Sequence, residues 1–144
     1  NMKVVLQRVD KASVEVGGKI ISSVKKGFLV LVGIEEGDSE SEVIKKARKV
    51  AGLRIFSDQN DKTNLSLADV GGEVLAVSQF TLCADCSHGF RPSFSGAMRP
   101  EAANKLFELF VEEIKNQGIN VSTGEFGAHM IVSLVNNGPF TIIL

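Results

Sequence analysis

The run IVSLVNNGPFTIIL, residues 131–144, decides how the end of the chain folds. Residues 131–135 and 140–144 are rich in β-branched and apolar side chains, which predicts two β-strands. Pro139 between them has no N–H for a sheet ladder, so it must lie in a turn, at an edge or in a bulge. Gly138 relaxes the backbone before it, and an X-Pro bond is the one place where a cis peptide costs little. The Gly-Pro pair therefore either closes a hairpin or presents backbone carbonyls, and the pattern leaves both open.

The strands upstream of this run are joined mostly by tight turns. Gly17-Gly18 is a two-residue hairpin signal, and residues 28–34 are apolar on both faces, as in a central buried strand. Strands are predicted at residues 4–9, 12–16, 19–24, 28–34, 53–56, 73–82, 121–123, 128–135 and 140–144. Hairpin connections between most of them predict a mostly antiparallel sheet.

Two helices are predicted from their start and stop signals. The first follows Ser39, which forms a predicted capping box with Glu42, and it runs to about Ala51. The second begins at Pro100, because proline is favoured at the first helical position, and it ends before Gly118. Apolar residues recur along it at helical spacing, so one face packs on a core.

The length and composition are those of an ordinary globular protein. The chain has 144 residues, 44% hydrophobic and 23% charged, which is enough to bury a core. We therefore expect a single domain over residues 2–144. Its fold class is α+β, a mostly antiparallel β-barrel or curved sheet with two main helices packed outside.

Charge and hydropathy exclude several kinds of partner. No apolar run approaches the roughly 20 residues that span a bilayer. Nothing resembles a signal peptide, which predicts a cytoplasmic protein with no membrane partner. The net charge is −1, so no global field attracts nucleic acid. This argues against a DNA-binding protein, but not against one that grips a single end of an RNA.

Cys83 and Cys86 form a C-x-x-C pair, which could bind a metal or be redox-active. His88 could provide a third zinc ligand and His129 a fourth. A structural zinc site normally shows two tight ligand pairs, and this pair follows a strand and enters a polar loop. The pattern therefore favours two incidental thiols, and we expect no metal and no cofactor.

The strongest candidate for chemistry is Ser78-Gln79-Phe80-Thr81-Leu82, where two hydroxyls and an amide end an apolar strand. These groups either line a site at the end of the strand or simply face solvent and cap the next loop. Thr81 as a nucleophile would need a nearby base, and the sequence offers no obvious one. Residues 83–98 then form a long loop without periodicity, of a kind that often carries function.

Taken together, these motifs resemble those of the D-aminoacyl-tRNA deacylases, formerly called D-tyrosyl-tRNA deacylases. The resemblance covers essentially all of residues 2–144. It is carried by residues 78–82 and 136–141 and supported by residues 7–9, 89–94 and 126–128. The family commonly has Asp where Asn137 stands, a change that keeps the turn chemistry. Cys83 and Cys86 are not part of the family pattern.

The resemblance implies a homodimer that hydrolyses the ester between a D-amino acid and the 3′-terminal ribose of tRNA, and that also acts on glycyl-tRNA. It implies that Gly138-Pro139 is joined by a cis bond and that its carbonyls enter the other subunit's pocket, where they exclude L side chains. Arg8 would hold the Gly138 carbonyl in place. The residues expected at the ester are Ser78, Gln79, Phe80 and Thr81. The residues expected to wall the amino-acid pocket are Phe126, Gly127, Ala128 and Met130.

Two catalytic routes stay open at this point. Thr81 could be the nucleophile, or water could attack with help from the tRNA's own 2′-hydroxyl, a route that the missing base favours. In either case the N–H of Phe80 or Thr81 could stabilise the oxyanion. The cations that could hold the CCA end are Lys25, Lys26, Lys45, Lys46, Lys49, Arg91 and Arg99.

Two functions of other classes also stay open. One is a module that binds the end of tRNA without catalysis, with both motifs structural. The other is a zinc- or thiol-dependent protein built on Cys83, Cys86 and His88.

Overall fold

The structure is a computed structural model that describes residues 1–144. Its strands are β1 (Lys3–Val16), β2 (Lys19–Val24), β3 (Gly27–Gly33), β4 (Phe56–Ser57), β5 (Thr63–Leu65), β6 (Glu73–Ser78), β7 (Asn120–Thr123) and β8 (Ile131–Ile143). Its helices are α1 (Glu40–Gly52), α2 (Leu67–Val70) and α3 (Pro100–Asn116), and a 3₁₀ turn spans Phe80–Cys83. Six strands form one curved, barrel-like sheet, while β4 and β5 form a separate small hairpin.

The long strand β1 organises the sheet. It pairs antiparallel with β3 along its first half, with β2 along its second half, and with β8 on its other side. The remaining neighbours, β3 with β6 and β6 with β7, are parallel. Parallel neighbours require a crossover connection, and α1 and α3 lie within those two connections. The predicted fold class is confirmed, with the refinement that the sheet is mixed.

Both faces of the central strands are buried. Phe28, Val30 and Val32 of β3 join the main core, which α1 and α3 cover. Leu29 of β3 joins a second apolar cluster on the opposite face, together with Leu75 and Val77 of β6. This is the burial expected when the interior of a barrel and the helices outside it cover the same strands. Ser22 on β2 also donates a hydrogen bond to the carbonyl of Thr123 on β7, which links the two ends of the strand order.

The two main helices begin where the sequence predicts. Ser39 is the N-cap of α1, and its hydroxyl accepts a hydrogen bond from the Glu42 N–H at 3.3 Å. The predicted capping box is only half formed, because the Glu42 carboxylate accepts from the Ser39 hydroxyl rather than from its backbone N–H. A complete capping box instead starts α2, where Ser66 and Asp69 satisfy each other's backbone N–H groups.

The C-terminal run is one continuous strand rather than a hairpin. β8 stays beside β1, with Thr141 opposite Gln7 and Asn136 opposite Val9. Two steps along β1 therefore match five along β8, and the three extra residues form a bulge that contains Gly138-Pro139. The Gly138–Pro139 peptide bond is cis, as the resemblance implies.

The strand predicted at residues 73–82 ends earlier, at Ser78. The Gln79 N–H still donates to the Val32 carbonyl at 2.7 Å, and the chain then enters the 3₁₀ turn. The turn packs directly on Gly33 of β3: a Cβ there would lie 2.8 Å from Leu82 Cβ and 3.1 Å from the Gln79 carbonyl. A side chain at position 33 would therefore push the turn away from the sheet.

No helix of the protein combines the length and the apolar character that a membrane crossing requires.

Candidate active site

A cavity of about 640 Å³ opens where the parallel strands β3, β6 and β7 end. Ile34 follows β3, Ser78 and Gln79 end β6, and Phe126 follows β7, and all four residues line the cavity. The carboxyl ends of parallel strands meet at one edge of a sheet, which is a common place for a ligand site. The topology therefore brings together two segments that lie nearly 50 residues apart in the sequence.

The turn after β6 contributes polar groups to the lining of the cavity. Ser78, Gln79 and Phe80 line it. The first N–H groups of a helical turn have no partner within the turn, and Gln79 gives them no side-chain cap. The N–H groups of Phe80 and Thr81 can therefore donate to an oxygen atom placed against the turn.

Thr81 lies on the same turn but is not among the residues that line the cavity. Its hydroxyl accepts a hydrogen bond from Gln79 Nε2 at 2.5 Å, and this is its one side-chain partner on the same turn. An amide N–H₂ group cannot take a proton from a hydroxyl. The structure thus gives Thr81 no adjacent base.

A second segment that lines the cavity is largely apolar. Phe126, Gly127, Ala128 and Met130 line the cavity, and the Phe126 ring lies 6.5 Å from the ring of Phe107 on α3. The four residues expected to wall an amino-acid pocket thus line the same cavity as the Ser78 turn.

Two ionisable side chains line the cavity, those of Arg99 and His129. The sequence predicts Arg99 among the cations that could hold the tRNA end, whereas it indicates His129 as a possible fourth zinc ligand. Its position just after Ala128 is the signal that could have identified it, since the neighbouring residues were already assigned to the pocket.

Gly138, Pro139 and Arg8 lie elsewhere in the chain and do not line this cavity. Gly138 and Pro139 are both exposed on β8. Within one copy of the chain, the residues expected to select the substrate are therefore separate from the residues expected to act on it.

Arg8 holds the bulge, but it binds a different carbonyl from the one that the resemblance implies. Its Nε donates to the carbonyl of Asn137 at 3.0 Å, one residue before the predicted Gly138 carbonyl, and its Nη1 donates to the carbonyl of Ile55 at 2.7 Å. The guanidinium also lies 4.6 Å from the centre of the Phe140 ring. The three-residue bulge shifts the register, so the planar guanidinium meets the bulge at its first carbonyl.

Asn136 fixes the bulge from the other side, a role that the sequence did not indicate. Its Oδ1 accepts from the Phe140 N–H at 2.8 Å, and its Nδ2 donates to the Thr141 hydroxyl at 3.1 Å. The same hydroxyl accepts from Gln7 Nε2 at 3.3 Å. One side chain thus spans the Gly-Pro pair and ties both ends of the bulge together.

Gly138 cannot be replaced without moving this network. Its φ is +142°, and a Cβ built on it would lie 2.9 Å from the Phe140 nitrogen and 3.2 Å from Arg8 Nη2. An L side chain at this position would therefore be strained and would displace the Arg8 guanidinium.

The cysteine pair does not form a metal site. Cys83 is buried and Cys86 is exposed, and burial raises the pKa of the Cys83 thiol. No three His, Cys, Asp or Glu side chains lie close enough together to hold a metal ion. The structure therefore does not bring together the ligand set that the zinc hypothesis requires.

Comparison with known proteins identifies the class. The sequence is 55% identical to D-aminoacyl-tRNA deacylase of Lactobacillus gasseri over 143 residues, covering 99% of each chain. It is 52% identical to the D-aminoacyl-tRNA deacylase of Thermosipho africanus, covering 99% of this chain and 96% of that one.

Solved structures agree on the fold. A protein described as c-Myc DNA Unwinding Element Binding Protein superposes with a TM-score of 0.90 at 40% identity, covering 99% of this chain and 97% of that chain. A probable eukaryotic D-amino acid tRNA deacylase superposes with a TM-score of 0.85 at 17% identity over 99% of this chain and 98% of that chain. The second likeness concerns the fold alone.

These relatives define the protein as an enzyme, a hydrolase of the deacylase class. Residues 5–144 match the family described as D-Tyr-tRNA(Tyr) deacylase, and the chain belongs to that family.

Proposed function

We propose that this hydrolase cleaves the ester between a D-amino acid and the 3′-terminal ribose of tRNA, releasing the free D-amino acid and tRNA. It also hydrolyses glycyl-tRNA, and its role is chiral proofreading in the quality control of translation, in the cytoplasm. One observation carries the proposal: residues 78–80 and residues 126–130 line the same cavity. Residues 78–80 provide donors for an ester, and residues 126–130 provide an apolar wall for a side chain.

The chemistry follows from the groups of the turn after β6. Backbone N–H groups of Phe80 and Thr81 stabilise the oxyanion that forms when the ester carbonyl is attacked, and one such donor contributes roughly 3–4 kcal/mol to the transition state. Gln79 holds the Thr81 hydroxyl, and Ser78 lines the approach to the ester. Because Thr81 has no adjacent base, the nucleophile is water, assisted by the 2′-hydroxyl of the terminal ribose. No cofactor is required for this route.

Selection against L-aminoacyl-tRNA comes from a second subunit. Gly138 and Pro139 of the other copy reach into the cavity, where their backbone occupies the space that an L side chain would need. A D side chain points away from them and glycine has none. A fixed backbone is suited to this task because rejection of the abundant L substrates must work by exclusion. The Arg8 and Asn136 hydrogen bonds keep the bulge rigid enough to exclude an L side chain.

The exposed side of β8 supports the homodimer. β8 pairs only with β1, so its other edge is unpaired along 13 residues. Ile143 is 76% exposed, Ile131 53% and Val135 43%. A long apolar edge strand invites pairing with another chain unless it is covered, and a second copy of this chain is the partner that we propose for it.

Deacylation is tested by incubating the protein with D-tyrosyl-tRNA and following release of tyrosine. Release supports the enzyme, whereas protection of the ester from spontaneous hydrolysis would support a tRNA-end binding module. Turnover that persists in a chelator and in the Cys83→Ser and Cys86→Ser variants removes the zinc- or thiol-dependent alternative.

The subunit arrangement is tested separately with Val135→Lys combined with Ile143→Lys. We expect a folded monomer by sedimentation that has lost discrimination between D- and L-tyrosyl-tRNA. Ile20→Lys, at an exposed position on β2, is the matched control and should stay dimeric and selective. A monomeric double variant that still rejects the L substrate would refute the role of the second subunit.

A further inference from the structure

The loop of residues 83–98 contains a segment whose two ends are hydrogen-bonded to each other. Asp85 and Ser93 pair through two backbone hydrogen bonds of 2.8 and 2.9 Å, and residues 86–92 lie between them. The Asp85 carboxylate also accepts hydrogen bonds from the N–H and hydroxyl of Ser87, which orders the first residues of this segment. Gly89 then takes a positive φ of +75° immediately before Phe90. The backbone thus presents residue 90 at a defined position.

The side chain of Phe90 contacts nothing in the protein that shields it from water. It is 107% exposed, more than any other large hydrophobic residue of the chain. Its ring is not part of any of the aromatic pairs. The fold therefore gains no packing from this ring, and the apolar surface is available to a partner.

Phe90 lies four residues along the chain from a residue that lines the cavity. Phe94, four residues later, packs edge-on against Phe80, with ring centres 5.2 Å apart, and both of these residues line the cavity. The four residue steps from Phe90 to Phe94 span at most about 14 Å. At the roughly 3.4 Å spacing of stacked nucleotides, that distance corresponds to about four nucleotides of one strand.

The charges beside Phe90 suit a nucleic acid. Arg91 follows it directly and is exposed, and Arg99 lines the cavity. Single-stranded nucleic acids are bound by aromatic rings on which bases stack, combined with cations that contact the phosphates. An exposed phenyl ring beside an arginine, next to a site for the end of a strand, has both parts.

We infer that Phe90 is a stacking platform for an unpaired base of the tRNA 3′ end, one of the nucleotides that precede the terminal one, with Arg91 against the neighbouring phosphate. This inference rests on the proposed function. It assigns to the loop the binding of nucleotides that precede the esterified one.

The test compares two substrates that differ only in the preceding nucleotides, namely D-tyrosyl-tRNA and the D-tyrosyl ester of adenosine. For Phe90→Ala we expect the KM for the tRNA to rise about tenfold, from the usual loss of one base–aromatic stack. The kcat should stay unchanged, as should both constants for the adenosine ester. Phe90→Trp should keep the wild-type KM, and Ile20→Ala is the control for removing an exposed apolar side chain elsewhere. The defect of Phe90→Ala should persist at high salt, whereas that of Arg91→Ala should shrink.

Because the Phe90 ring makes no packing contact, Phe90→Ala should melt at the wild-type temperature, and the kinetic comparison then reports on binding. An unchanged KM for D-tyrosyl-tRNA would overturn the inference, as would an equal rise with both substrates or a Phe90→Trp variant as weak as Phe90→Ala. Failure of the wild type to hydrolyse either D-tyrosyl substrate would instead refute the proposed function.

Discussion

Replacing Arg8 by lysine should weaken both the fold and the selection of substrate. The guanidinium donates to two carbonyls, those of Ile55 and Asn137, and it faces the Phe140 ring. An ammonium group keeps the charge but cannot reach two carbonyls in fixed directions or lie flat on a ring. A hydrogen bond to a charged group contributes about 1.5–3 kcal/mol and an exposed cation–π contact about 0.5–1 kcal/mol. Losing one of each gives a loss of about 2–4 kcal/mol in the free energy of unfolding.

For a chain of this length that loss corresponds to a fall of roughly 5–15 °C in the melting temperature. Denaturant unfolding measures the free energy, and the ratio of kcat/KM for D- and L-tyrosyl-tRNA measures selection, which should fall because the bulge is no longer fixed. Arg48→Lys is the control, since Arg48 makes a single surface ion pair with Glu113 and such pairs contribute about 1 kcal/mol or less. If Arg8→Lys has wild-type stability and selectivity, the proposed role of Arg8 in fixing the bulge is wrong.

Three further changes test other parts of the account. Asn136→Ala removes two hydrogen bonds across the bulge and should lower the free energy of unfolding by about 1–3 kcal/mol and reduce selectivity. Asn136→Asp keeps the acceptor for the Phe140 N–H and should lose less of both. Equal losses in the two variants would contradict this role of Asn136. Thr81→Ala and His129→Gln should each retain most of the turnover on D-tyrosyl-tRNA, because neither side chain attacks the ester or transfers a proton in the proposed route. Loss of turnover in a folded variant would show that the side chain takes part in catalysis. The melting temperature should fall in acid, because hydrogen bonds in the folded protein hold five carboxyl pKa values below their usual range, those of Glu35, Asp58, Asp69, Asp85 and Glu113. A lowered folded-state pKa contributes stability above the unfolded-state value of about 4 and loses it below, so a flat profile from about pH 5 to 3 would contradict these assignments.

Local patterns in the sequence predict most of the elements. The Gly17-Gly18 hairpin, the Ser39 cap and the Pro100 start all depend on residues within one turn, and the structure has each of them. Alternation also locates β8, but not its continuity, because a bulge is defined by the register of the neighbouring strand. Only the pairing of Gln7 with Thr141 and of Val9 with Asn136 distinguishes a bulge from a hairpin.

The same limit applies to the candidate site. The apolar alternation of residues 73–82 continues past Ser78, so the early end of β6 depends on the space above Gly33, which lies in another strand. His129 and Arg99 line the cavity because the segment after β7 and the start of α3 both lie near the end of β6, and no spacing in the sequence encodes that proximity. The parallel pairs of the sheet likewise depend on where the helical crossovers return the chain.

D-selective deacylation is tested most directly by the rates at which the wild-type protein hydrolyses D-tyrosyl-, L-tyrosyl- and glycyl-tRNA, measured side by side under the same conditions. We expect rapid release of D-tyrosine and glycine and no release of L-tyrosine above the spontaneous rate. Release of L-tyrosine at a rate comparable to that of D-tyrosine would contradict the account.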